Sequence, residues 1–224
     1  MDSLVPSEGL GVLHLFCKTG QGFDEDKLIE TIHEIKSEEA QIISISILGH
    51  KADFAFMVLA NDWVQLRVAE REISNCGVSI VDSYVSLTEI SEYAAGVPEE
   101  MRKARLYPAL PPSDKRAWCF YPMSKRRNPG QNWFTLEFEK RKELMYEHGA
   151  SGRQFAGRVL QVITGSTGVD DFEWGVTLFC VHPDDLKEVV YTMRFDEASA
   201  EYAEFGPFYS GVVADVEEVI TLSV

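Results

Sequence analysis

The order of hydrophobic periodicities constrains this chain more than any single motif. It runs strand, helix, strand, strand, helix, strand, and then runs so again. In the first half, residues 11–18 (GVLHLFCK) read as a strand. The stretch DEDKLIETIHEIKSEE that follows spaces Leu28, Ile29, Ile32 and Ile35 along one helical face, with Asp24 at its N-cap. AQIISISILGH and ADFAFMVLA are strands joined by a turn at residues 49–51. Residues 61–74 form a helix carrying Val64, Leu66 and Val68, and VSIVDSYVSLTEI closes the half as a strand. This β-α-β-β-α-β order is the ferredoxin-like unit.

The stretch AAGVPEEMRKARLYPALPPSDKR then carries Pro98, Pro108, Pro111 and Pro112 and reads as a linker. After it RAWCFYPM is a strand, residues 133–148 a helix ending at Gly149 as its C′ glycine, and GRVLQVITGS and FEWGVTLFCV are strands. PDDLKEVVYTMRFDEASAEYAEF reads as one helix with Pro183 in its first turn, and PFYSGVVADV as the last strand. The expected fold is therefore α+β: a tandem ferredoxin-like (βαββαβ) repeat with halves at 1–100 and 101–224. Its two sheets pack together or close into a dimeric α/β barrel within one subunit.

A formal charge of −15 argues against nucleic acid as a partner, because phosphate binding needs a basic face. The charge is unevenly spread, however. Residues 102–158 hold 13 of the 21 Lys and Arg and five acids, about +8, which leaves about −23 on the remainder. Lys140, Arg141 and Lys142 read as a solvated helix face, while the patch as a whole reads equally as a place to hold anions. Four cysteines (Cys17, Cys76, Cys119, Cys180) without a Cys-x-x-Cys pair read as buried free thiols of a reducing compartment. The chain lacks the basic, then apolar, opening of a signal peptide and any apolar run of membrane-spanning length, so a cytoplasmic location is expected. It has no His-Glu-x-x-His, no phosphate loop and no Gly-x-Ser-x-Gly elbow.

Strand alternation singles out a few side chains. Tyr121 and Met123 share a face of their strand with Cys119, just ahead of Lys125, Arg126 and Arg127. Gln161 lies between Val159 and Ile163 on one face; it is either solvent-facing or a polar group placed in an apolar cavity. His148, in the last turn of its expected helix, either answers the helix dipole or ligates a metal or haem iron.

The runs LYPALPPSDKRAWCFYPMSKRR, ITGSTGVDDFEWGVTLF and VYTMRFDEASAEYAEFGPFY, with NW and HG between them, resemble the chlorite dismutase family, and within it the coproheme decarboxylase branch. The resemblance is close over residues 105–211. It implies two ferredoxin-like units per subunit in a homopentamer, the first half structural and the second binding haem. It also implies peroxide-dependent oxidative decarboxylation of two propionates of coproheme to give haem b, with coproheme both substrate and redox centre. On that basis His148 is the proximal iron ligand, Tyr121 the radical-forming tyrosine and Lys125 its partner at the propionate. Gln161 lies on the distal side, and Met123, Arg105, Arg194 and Ser199 line the pocket or hold propionates. Chlorite dismutases carry an arginine where Gln161 stands, which points away from chlorite chemistry. The family alternatives are a chlorite- or peroxide-degrading haem enzyme and a non-catalytic haem carrier or sensor. The chain departs from the family's NWYMLP in reading NWFTLE after NPGQ.

Overall fold

Both halves take the order their periodicities dictate. The structure, a computed structural model, describes residues 3–37, 40–94 and 96–224. Residues 1–2 of the opening stretch, 38–39 of the expected first helix and 95 of the expected linker lie outside the described residues. The first half comprises β1 (Gly11–Thr19), α1 (Glu25–Ser37), β2 (Gln41–Ile47), β3 (Phe54–Ala60), α2 (Trp63–Ser74) and β4 (Val78–Thr88). Asp24 caps α1 by accepting from the Lys27 N–H at 3.0 Å, and Asp62 caps α2 by accepting from Val64 at 2.9 Å. Each carboxylate satisfies a first-turn N–H that has no partner inside its helix.

The proline-rich stretch is not wholly irregular. It contains α3 (Glu99–Leu106), with Pro98 immediately before the first turn, where a missing N–H costs nothing. The second half runs β5 (Ala117–Lys125), a small ribbon of β6 (Arg127–Asn128) and β7 (Gln131–Asn132), a 3-10 turn at Trp133–Thr135, and α4 (Phe138–Arg153). β8 (Val159–Gly165), β9 (Trp174–Cys180), α5 (Pro183–Met193), α6 (Glu197–Ala200), β10 (Ala203–Phe205), β11 (Tyr209–Ala214) and α7 (Val216–Ser223) complete it.

Two expected helices differ in extent. The one ending at Gly149 starts later and continues to Arg153, so Gly149 is an interior helical residue and not a C′ cap. The long helix after Pro183 is two helices and a strand. Asp196 breaks it by capping α6, its carboxylate accepting from the Ser199 N–H at 3.0 Å.

Each half orders its strands as a ferredoxin-like sheet, β2-β3-β1-β4 and β11-β5-β9-β8, with antiparallel pairing throughout. The free edges then pair with each other, β11 with β2 and β4 with β8, and the two sheets close into one barrel. Closure leaves no bare edge among these eight strands. Gly211 sits at one seam between Ile47 and Trp118, and a Cβ there would meet the Ser46 carbonyl and, at 2.7 Å, Ile45.

The barrel interior is packed with side chains from both halves, among them Val12, Phe16, Ile45, Met57, Trp118, Phe120, Phe179 and Tyr209. Outside it, α1, α2 and α7 bury Leu13, Leu15, Phe54, Phe56 and Val219 against the first half. On the second half, α5 covers Cys119, Tyr121, Val176, Leu178 and Cys180.

Candidate functional site

The barrel interior is filled, and the expected residues of β5 and β8 lie on the helix-covered outer face of the second half. Register fixes which side chains share it. Tyr121 pairs with Val176, which pairs with Ile163, while Cys119 pairs with Leu178, which pairs with Gln161. Cross-strand partners point the same way, so Tyr121 and Gln161 occupy neighbouring rows of one face, about 10 Å apart across the strands. Met123, two residues from Tyr121, falls in the next row with Trp174.

Tyr121 is buried, stacked on Phe208 at a centroid distance of 4.4 Å and edge-on to Phe205 at 5.7 Å. Burial raises its pKa well above the ordinary phenol value; the neighbouring Cys119 adds to this and Arg194 opposes it. The phenol is therefore protonated at neutral pH. Its hydroxyl makes no hydrogen bond among the described residues. Arg194 closes α5 with its guanidinium over the Phe205 ring at 4.7 Å, exposed and in no ion pair among the described residues.

Lys125 continues the same strand face and is 7% exposed, which is uncommon for a lysine. Its Nζ donates to the Ala198 carbonyl at 2.7 Å and lies 4.3 Å from the Trp133 ring centroid. Burial lowers its pKa to about 8, against the pull of Asp196 and Glu173 towards the charged form. It forms no ion pair among the described residues. A buried cation of this kind is suited to receive an anion from outside the chain.

His148 lies on α4 and faces α6. Its Nδ1–H donates to Asp196 Oδ2 at 3.0 Å, with Ser199 Oγ 3.4 Å from the same nitrogen. Asp196 is deeply buried, which by itself raises its pKa; hydrogen bonds from His148 and Ser199 outweigh that and hold it below the usual carboxylate range. An ionised carboxylate only accepts, so it fixes the proton on Nδ1 and leaves the Nε2 lone pair for a metal. The donor set suits an iron porphyrin carrying carboxylates: one imidazole with a fixed tautomer, a buried ammonium, and a guanidinium free of acid partners.

Of the expected residues, the structure brings His148 and Ser199 together through Asp196, sets Lys125 beside the same short helix, and puts Tyr121, Met123 and Gln161 on the adjoining sheet face. Gln161 is half-buried and makes no hydrogen bond among the described residues. Arg105 is exposed on α3 and in no ion pair among the described residues, so its guanidinium is free to receive a carboxylate. Asp196, Trp133 and Glu173 were not expected. Glu173 accepts from the Lys125 backbone N–H at 2.7 Å and lies 3.4 Å from Arg127. A cleft of about 310 Å³ opens between α4 and α5 beside Glu147, Phe195 and Asp196. Another, of about 750 Å³, runs along β5, β11 and α5 past Cys119, Arg194 and Phe208. No helix among the described residues is long and apolar enough to cross a membrane.

Comparison with known proteins adds identity to this geometry. A sequence model described as chlorite dismutase matches residues 24–214. The coproheme decarboxylase of Staphylococcus carnosus is 42% identical over 218 residues, covering 88% of this chain and 87% of that protein. That of Staphylococcus saprophyticus is 48% identical over 178 residues, 74% of this chain and 70% of that protein. A longer Natronomonas pharaonis protein named for heme binding is 45% identical over 202 residues; these are 83% of this chain, which spans only 33% of that protein. Among solved structures, a heme-binding protein from Thermus thermophilus superposes with a TM-score of 0.84 at 32% identity, covering 100% of this chain and 98% of that one.

Proposed function

The chain belongs to the chlorite dismutase family, and from that premise we propose that it is a coproheme decarboxylase, converting two propionates of coproheme to the vinyl groups of haem b at the expense of hydrogen peroxide. The single observation that carries the reading is the buried, acid-free ammonium of Lys125 on the strand face of the buried phenol Tyr121. A carboxylate taken out of water needs a partner such as this, and a hydrogen taken from its side chain needs an oxidisable group close by.

Each propionate loses a β-hydrogen and its carboxylate, giving a vinyl group, CO2, one proton and two electrons. One hydrogen peroxide takes up those electrons with two protons and leaves as two waters, so each decarboxylation consumes one peroxide and one net proton. The bound substrate's iron supplies the two-electron chemistry with peroxide. The chain's own residues do the rest. His148 Nε2 holds the iron, its orientation fixed through Nδ1 by Asp196. Tyr121 relays oxidation to the propionate by giving up its hydroxyl hydrogen and taking one from the β-carbon. Lys125 holds the carboxylate in reach and can return the proton.

Gln161, uncharged at all relevant pH, offers a hydrogen bond on the distal side without acting as a base. Met123 lines that space, and Arg194, Ser199 and Arg105 receive the propionates that are kept. Phe205 and Phe208 cover Tyr121, so a substrate that reaches the phenol moves at least one of them. In this reading residues 101–224 carry the chemistry and residues 1–100 complete the barrel and the assembly. The assembly is a homopentamer in the cytoplasm, with neither nucleic acid nor membrane as partner.

The test is to load the protein with coproheme, add peroxide stepwise and weigh the porphyrin. Successive loss of two carboxyl groups as CO2 is expected. A porphyrin that keeps all four propionates, or oxygen released from chlorite instead, would overturn the assignment.

A further inference from the structure

We infer that Trp133 is a positioning residue for this reaction: its indole face and the Ala198 carbonyl together hold the Lys125 ammonium in place for an incoming carboxylate. The inference rests on the role given to Lys125 above. Trp133 is buried, packed edge-on to Tyr93 at 6.4 Å and to Tyr202 at 5.4 Å. Its backbone N–H donates to the Arg126 carbonyl at 3.0 Å, which ties the turn to the residue next to Lys125. Asn132 caps that turn by accepting from the Phe134 N–H at 3.0 Å. The ring is thus fixed before any ligand arrives.

An ammonium has three N–H donors. On Lys125 one meets the Ala198 carbonyl and one faces the ring, which leaves one for a ligand. The nearby acids are occupied. Glu173 is bonded to the Lys125 backbone and lies beside Arg127, and Asp196 serves His148 and Ser199. A direct ion pair would steady the ammonium equally well but would compete with the substrate carboxylate. A ring face and a carbonyl compensate part of the desolvation without neutralising the charge.

Titration of Lys125 in the ligand-free protein tests this, read from its side-chain 13C and 15N shifts and assigned by loss of the signal in Lys125→Gln. Trp133→Leu should lower the midpoint by about 0.4 to 1.5 pH units, because the charged form loses the ring. Fluorinated tryptophan, built in at all four tryptophans, keeps the shape of the ring while draining its face, and should lower the midpoint progressively with the number of fluorines. Among the described residues, only Trp133 of the four has a lysine or arginine over its face. If Trp133→Leu unfolds, the fluorotryptophan series decides alone. A midpoint unmoved by fluorination would overturn the inference, since mere packing is indifferent to it. Coproheme left intact by the unsubstituted protein would overturn the decarboxylase reading and leave this titration standing.

Discussion

On the proposed role of His148 as iron ligand, Asp196 decides which of its nitrogens would face the metal. Its two oxygens have separate duties, Oδ1 for the Ser199 N–H and Oδ2 for His148 Nδ1. In Asp196→Asn the oxygen can keep the α6 cap, which places the amide NH2 against His148. Nδ1 must then accept and Nε2 carries the proton, the wrong form for binding iron. Coproheme affinity, followed by the porphyrin absorption band, should fall about 10- to 100-fold with little loss of fold. Unchanged affinity would mean that Asp196 is only a cap. At this scale the sequence was informative where alternation applies and silent where it does not. Tyr121 and Met123 could be put on one face by counting, but Asp196 sits before a four-residue helix with no periodicity to mark it. The lowered pKa of Lys125 was equally hidden, because it comes from burial by Trp133 and Ala198, residues of other elements.

The elements themselves were legible because each carries its own period, and their ends were less so. Gly149 looked like a helix stop, yet α4 runs four residues past it: Ala150 and Arg153 favour helix, and contacts with α5 offset the poor propensity of Ser151 and Gly152. The two placements predict opposite outcomes for Gly149→Ala. A C′ glycine in the left-handed region would resist a Cβ, whereas an interior helical glycine should accept one. Here a Cβ would meet only Arg153, at 3.5 Å, an ordinary contact. The substitution should therefore stabilise the protein by about 0.5–1 kcal/mol, raising Tm by about 1–4 °C. A fall in Tm would put the helix end back at Gly149. The break of the last long helix into α5, α6 and β10 could not be read locally. It depends on β10 finding β5, with Ala203 opposite Lys125, and that pairing is a long-range event.

For the whole molecule, the tandem repeat foretold two sheets but left open whether they stack or close, because edge pairing of β11 with β2 and of β4 with β8 has no local signature. Closure buries His14 at the barrel centre, its Nε2 3.1 Å from Thr177 Oγ1 and its ring 4.2 Å from Phe120. Burial lowers its pKa to about 3. Its folded pKa lies below the unfolded one, so its contribution to stability is full above about pH 6.5 and is lost as pH falls towards 3. Between about pH 6 and 4 this residue should account for up to about 1.4 kcal/mol of lost unfolding free energy per pH unit. Urea titrations across that range should show a shallower acid limb for His14→Leu; parallel limbs would mean that His14 does not titrate on unfolding. The barrel is thus a filled scaffold, and in the proposed mechanism the chemistry lies on its outside, where Tyr121, Lys125 and His148 would meet one ligand. That arrangement is tested most directly by Tyr121→Phe, loaded with coproheme, titrated with peroxide and read by mass. The variant should bind coproheme as the parent does and return it with its propionates intact. Haem b formed at the parent's rate would contradict the role given to Tyr121.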